Sequence, residues 1–269
     1  ITASQTTYGA WMGLSIVYSI LYMPTLALTN SMAFAHLGDA RREFPWVRVW
    51  GTLGWIAASW AFPMLFLQSD LHWRWMPPFL AGTEHSDVVA RLAHALRFSG
   101  AMSIVYAIFC LGLPHTPPRR DAVEELAFAR AARLFKHPSF ALLVAVSLAI
   151  AAIHQIYFLQ TFPFLRSIGL LDSEAGPAMT VGQFAEILIL PALGFLLAKL
   201  GFRGVITIGA AAYFARYVVF ATPGLPTWVI VASQAFHGLC YSCFFAASYI
   251  YVDRLAPPDV RHSAQTLFG

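Results

Sequence analysis

Glu186 is the only acidic residue of this chain set deep inside an apolar run. It lies about eleven residues into the stretch Ala175–Leu200, which at ~1.5 Å per helical residue is ~16 Å, the middle of a ~30 Å hydrocarbon layer. An ionised carboxylate there costs roughly 2.5–3.5 kcal/mol on insertion scales. A residue kept at that depth ordinarily faces a polar cavity and handles a proton, an ion or a polar ligand. Gln183 stands three residues earlier and shares the same helix face. A carboxyl beside an amide can hold a proton and present several acceptors. The plainer alternative is a structural carboxyl bonded to a neighbouring helix.

Three further polar groups fall inside apolar runs. Arg48, Thr52 and Trp55 are spaced i, i+4 and i+7, one face of a helix offering a fixed cation, a hydroxyl and a large aromatic plane. That set suits a polar, ring-bearing solute. Alternatively Arg48, near the start of its run, snorkels to the surface. His154 and Gln155 lie deep in another run, where a bond between helices is the simplest reading. His237, Tyr241 and Ser242 lie in the last run, the first two one turn apart and able to face one cavity. Arg216 lies about six residues from a span end, within reach of the interface, and is given no function. Cys240 and Cys243 form a lone C-x-x-C without a second pair or a histidine cluster, which reads as packing. No nucleophile–base set and no metal-ligand spacing stands out, so no catalytic residue, metal or cofactor is expected and the chain is not read as an enzyme.

The elements that must carry these residues follow from composition. The 269 residues are 58% hydrophobic and only 11% charged, against about 25% charge in a soluble domain. Mean hydropathy is +0.64. Seven continuous runs read as membrane helices: Tyr8–Phe34, Trp46–Phe66, Ala95–Leu113, Phe140–Phe164, Ala175–Leu200, Phe202–Thr222 and Thr227–Tyr251. The sixth is the weakest. Continuous runs favour helices over the alternating strands of a barrel. Pro24 and Pro191 are expected to kink their helices.

Charge sets the orientation. Arg41, Arg42, Arg119, Arg120, Arg130, Arg133, Lys136, Lys199, Arg203, Arg254 and Arg261 fall on one side of the spans, against Arg74, Arg91, Arg97 and Arg166 on the other. The richer side is cytoplasmic by the positive-inside rule, so the excess of basic residues needs no nucleic-acid partner. The strongest internal boundary is Pro114–Pro138, a proline-rich turn followed by a stretch of helical spacing with Glu and Arg on one side. It reads as a cytoplasmic amphipathic linker over 116–138 between the end of one helical bundle (1–115) and the start of another (139–269). Gln68–His94 reads as a long external loop. A first residue other than Met, an outside N-terminus and an odd number of spans together suggest a piece of a longer protein.

Several of these motifs resemble the nucleoside:H⁺ symporter family of the major facilitator superfamily. Tyr22-Met-Pro-Thr-Leu-Ala-Leu-Thr-Asn30 is similar to that family's fourth helix, and Phe44-Pro-Trp-Val-Arg48-Val-Trp-Gly-Thr52-Leu-Gly-Trp55 to its fifth. Gln183-Phe-Ala-Glu186 resembles the Gln-x-x-Glu pair of the eighth. His237-Gly-Leu-Cys-Tyr241-Ser242-Cys-Phe-Phe and Arg261-His-Ser-Ala-Gln265 resemble the tenth helix and the loop after it. The resemblance implies an all-α, polytopic, incomplete major-facilitator bundle holding helices four to ten of twelve. It also implies a nucleoside site lined by Arg48, Thr52, Gln155, Gln183 and Glu186, with a ring at Trp55 nearby. Two positions depart from the family pattern. Phe158 stands where the family has Asn one turn after the glutamine, and Ser242 replaces an aspartate of the tenth helix.

The resulting expectation is a secondary active transporter of the bacterial inner membrane. It would move a nucleoside-like molecule with a proton, as a monomer in the lipid bilayer. Arg48, Thr52, Trp55, Gln155, Gln183, Glu186, His237 and Tyr241 would bind substrate and Glu186 would carry the proton, with Thr52 serving binding alone. A transporter of another polar metabolite, a uniporter, or a membrane sensor are the alternatives.

Overall fold

The computed structural model describes residues 4–73, 80–114, 133–257 and 260–268. In chain order the elements are α1 (Tyr8–His36), α2 (Ala40–Phe62) with a π turn (Pro63–Leu67), β1 (Gln68–Trp73), β2 (Leu80–Glu84), α3 (Val88–Arg91) and α4 (His94–Cys110). After a 3-10 turn (Arg133–Lys136) come α5 (Pro138–Ser167), α6 (Asp172–Met179), α7 (Val181–Ala221), α8 (Thr227–Ser233), α9 (Phe236–Leu239), a π-helix (Cys240–Ala246), α10 (Ala247–Leu255) and α11 (Arg261–Phe268). Six helical stretches among the described residues are long and apolar enough to cross a membrane. Most of the linker inferred over 116–138 lies outside the described residues. Its end is the 3-10 turn, whose Leu134 is buried with Phe140, Leu143, Val252 and Ala256.

The longest stretch, Asp172–Ala221, resolves the fifth and sixth spans of the sequence reading into two arms. Gly201 interrupts α7 with φ +67° and ψ 173°, a backbone conformation open in practice to glycine alone. The neighbours of each arm show that the chain reverses there. Gly182 lies against His237, and Leu197 and Val205 share a core with Ala246 and Ile250. Gly209 then lies against Phe244, and Arg216 again meets His237. Residues 181–200 thus run along the α9–π–α10 segment and residues 202–221 run back beside it. Pro24 and Pro191 lie inside continuous helical stretches, whereas the one residue of α7 with non-helical backbone angles is Gly201.

Close backbone approach fixes this part of the molecule. A Cβ on Gly238 would stand 2.6 Å from both Ala185 C and Glu186 N, closer than any side chain tolerates. Small residues at such crossings let helices touch through their backbones. Against this pair lies α2. Its Phe44 and Val49 join Leu190, Leu193, Leu197, Val205, Cys243, Ala246, Ala247 and Ile250 in one core. Phe34 stacks on Phe44 at 4.3 Å, tying α1 to α2, and Gly38 N donates to Glu43 Oε2 across the turn between them. Phe98 and His94 of α4 meet Phe62 and Phe66 at the far end of α2.

The segment Gln68–His94, read as an external loop, contains an antiparallel hairpin, with Gln68 opposite Glu84 and Trp73 opposite Leu80. It is the one departure from an all-helical fold among the described residues. Period-two alternation over so few residues is a weak signal in the sequence. Glu84, at the end of this hairpin, is held above the ordinary carboxylate range, first by burial and then by the nearby Asp172 carboxylate. An acid raised on folding contributes stability when protonated and loses it as pH rises through its folded value. Glu84→Gln is therefore expected to flatten the fall in thermal stability with rising pH just above the normal carboxylate range, read from melting curves of the full-length protein. A second expectation follows from the turn. Gly201→Ala should cost about 1–3 kcal/mol through backbone strain. Its melting point should drop, while Gly9→Ala, which meets nothing within 4 Å, should leave it in place.

Candidate functional site

The face of α2 and the first arm of α7 meet in a polar seam. Helical spacing aims Arg48, Thr52 and Trp55 of α2 to one side. Thr52 Oγ1 donates to Glu186 Oε1 at 2.6 Å, and both residues are 5% exposed. A second contact of the hydroxyl, to Arg48 O at 3.3 Å, is the longer one. One turn earlier, Arg48 Nη2 donates to the Tyr241 hydroxyl, and its guanidinium lies 5.2 Å from the centre of that ring. Arg48 is thus turned inward and does not snorkel to the surface. It stands within electrostatic reach of Glu186, which leaves a cation and a carboxyl in one water-poor seam. Farther along, Trp60 Nε1 donates to Thr180 Oγ1 at 2.9 Å, closing the seam with a bond that nothing in the residue spacing had singled out.

Gln183 is buried one turn from Glu186, and its Oε1 has no protein partner among the described residues. A buried amide oxygen without a partner is an acceptor available to a ligand or water. Trp55 meets Phe158 of α5 edge to face at 5.4 Å. Phe158 therefore supplies an apolar wall beside Trp55. Tyr241 belongs to the π-helix Cys240–Ala246. π segments change the angular step along a helix and recur at functional sites.

The structure gathers Arg48, Thr52, Glu186 and Tyr241, with Gln183 on the adjoining turn and Trp55 on the next. It does not gather all the candidates. Gln155 is exposed on α5. His237 and Tyr241 take different partners. The Nδ1 of His237 contacts Arg216 Nη1 at 3.0 Å on the side facing the second arm of α7. The Tyr241 hydroxyl is taken up by Arg48 instead. His154 stacks on His237 at 5.5 Å and bonds the Tyr213 hydroxyl at 2.6 Å through Nδ1. The interhelical reading of His154 thus holds, while Gln155 takes no part in it. Arg216 is fully buried rather than interfacial, over the Tyr157 ring at 3.9 Å. Its aromatic neighbours Tyr213 and Tyr217, at i−3 and i+1, were the available signal.

The Thr52–Glu186 bond is testable as a pair. Thr52→Val is expected to destabilise the protein by about 1–3 kcal/mol, because it leaves a buried carboxyl oxygen without its donor. In the Glu186→Gln background the same change should cost less. The coupling is read from a double-mutant cycle of melting curves, and full additivity would deny the bond.

A family model described as Nucleoside H+ symporter matches residues 1–269. The chain is 30% identical over 272 residues to the putative nucleoside transporter YegT of Escherichia coli K12, covering 98% of this chain and 60% of that protein. It is 27% identical over 288 residues to the nucleoside permease NupG of the same organism, covering 100% of this chain and 63% of that one. It is also 27% identical over 285 residues to the xanthosine permease of that organism. A crystal structure of a mutant of the nucleoside transporter NupG superposes with a TM-score of 0.72 at 26% identity, over 99% of this chain and 66% of that chain. The chain spans about three fifths of the length of the curated relatives it matches.

Proposed function

The chain belongs to the nucleoside H⁺ symporter family, and on that ground we propose that the full-length protein carries a nucleoside across a bacterial inner membrane together with a proton. The single observation that supports this reading is the Thr52–Glu186 hydrogen bond. It joins a helix of the first three spans to a helix of the last four at membrane depth. We read residues 1–115 and 139–269 as parts of two bundles, joined by a cytoplasmic linker over 116–138, with the substrate between them. Transporter sites at the interface of two repeats lie at this depth.

In this reading a nucleoside enters a seam already lined with the groups it needs. Ribose hydroxyls exchange bonds with Glu186, Thr52 and the free Oε1 of Gln183. The Arg48 guanidinium, steadied by Tyr241, donates to an acceptor edge of the base. Trp55 and Phe158 offer apolar surface to its ring. Glu186 accepts bonds when ionised and gains a donor when protonated. Its protonation state therefore decides whether Thr52 is held across the seam or released to substrate, which links the proton to the contact between the two halves. Ser242, buried where the resembled family motif carries an aspartate, leaves Glu186 as the one carboxyl deep inside a membrane segment among the described residues, with Glu43, Asp172, Glu174 and Asp253 at segment ends. This second observation favours a lower proton count, or uniport if Glu186 does not titrate.

Labelled uridine or adenosine uptake by the full-length protein, with and without an uncoupler, tests the substrate and the coupling together. Other nucleosides should compete and free sugars should not. Glu186→Gln is expected to keep substrate binding within a few-fold while losing the acid-stimulated part of uptake between about pH 5.5 and 8. Thr52→Val should both weaken binding and move the pH profile, because its hydroxyl lies on the carboxyl itself. A Glu186→Gln protein with the parental pH profile would remove the mechanism.

A further inference from the structure

Arg216 is a permanent cation set 0% exposed between helices, and no carboxylate touches it among the described residues. Its surroundings account for only part of the guanidinium. Nη1 meets His237 Nδ1 at 3.0 Å, and since arginine only donates, His237 accepts there and carries its ring proton on Nε2. The flat face rests on Tyr157 at 3.9 Å, with Tyr213 at 5.2 Å and Tyr217 at 5.6 Å. Nε and Nη2 make no well-formed hydrogen bond among the described residues, although the Tyr217 hydroxyl lies close enough to Arg216 to interact. Nε and Nη2 lie along one edge of the guanidinium, the fork whose parallel N–H bonds match a carboxylate. A second buried donor lies in the same cluster. Gln234 takes the Tyr157 hydroxyl on Oε1 at 2.9 Å and leaves its Nε2 without a partner. Aromatic faces ease a buried cation but do not neutralise it, and buried charges are otherwise paired.

We propose that the Nε/Nη2 edge of Arg216 is a buried binding site for a carboxylate-type oxyanion, separate from the Glu186 seam. The Gln234 amide is a further donor in this cluster. Glu186 does not serve the site, because Thr52 and Arg48 engage it on α2, while Arg216 lies on the second arm of α7. The oxyanion comes from one of two sources. One is a carboxylate side chain elsewhere in the full-length polypeptide. The other is a small free anion entering beside Tyr157 and Tyr217, which both line a cavity of about 540 Å³ between α5 and that arm, together with Gln160 and Thr161.

Melting curves of the full-length protein in detergent, followed by tryptophan fluorescence, distinguish them. Sodium formate replaces sodium chloride at constant ionic strength, up to about 100 mM. A free-anion site gives a saturable rise of several degrees in the parent, absent in Arg216→Lys, which keeps the charge but loses the fork. An internal carboxylate gives no formate response. Arg216→Met or Arg216→Lys then lowers the melting point, and one Asp→Asn or Glu→Gln elsewhere in the polypeptide recovers most of that loss. The lysine variant carries the comparison if the methionine variant does not fold. Indifference to formate with no acidic residue coupled to Arg216, or an equal formate effect in the Lys variant, overturns the site.

Discussion

A carboxyl at the centre of a membrane must find a partner, and the arrangement of this molecule turns on how Glu186 finds its own. The partner is a threonine on another helix, not a neighbour on the same one. That choice sets the distance between α2 and the first arm of α7 and aligns their faces. It explains why Arg48 turns inward along the same face, and why a tyrosine from the π-helix is placed to steady it. It also requires the helix behind Glu186 to be held firmly. Gly238 provides this by letting its backbone lie directly against Ala185 and Glu186.

The apolar parts of the molecule show a related economy. Trp55, Phe158, His154 and His237 touch in sequence, from the first spans into the heart of the last four. The two histidines share in this row as rings, and their Nδ1 atoms are engaged by Tyr213 and Arg216. They act as aromatic packing with polar edges, which differs from the cavity-lining role that their depth in the apolar runs suggested for His237.

Much of this was legible in the residues. Continuous apolar runs marked the spans, and the i, i+4, i+7 spacing of Arg48, Thr52 and Trp55 correctly put them on one face. The depth of Glu186 singled it out. What could not be read was which faces meet. Thr52 and Glu186 were read with separate tasks, yet they are bonded to each other. His237 and Tyr241, one turn apart, were given one role, yet each takes its own partner, Arg216 for the first and Arg48 for the second. Arg216 was placed at the interface because a long side chain near a span end usually reaches water, while the tyrosines flanking it offered a stronger inward alternative. Gln155 lies exposed on α5, away from the gathered residues. Adjacent helical residues point about 100° apart, so the inward turn of His154 sends its neighbour away.

The glycine contacts divide the molecule mechanically. Where Gly238 lies on Ala185 and Glu186, backbone meets backbone with no side chain between to deform. That joint is stiff. Across the seam, α2 and α7 meet through side chains: a threonine on a carboxyl, a tryptophan on a threonine, and a layer of Phe, Val and Leu. Rotamers slip where backbones cannot. Any relative motion of α2 and α7 is therefore expected to appear as sliding along α2, with the Glu186 helix and the α9–π–α10 segment travelling as one piece. The carboxyl thus sits on the rigid side of the sliding surface and its hydroxyl partner on the other, the arrangement of a detent.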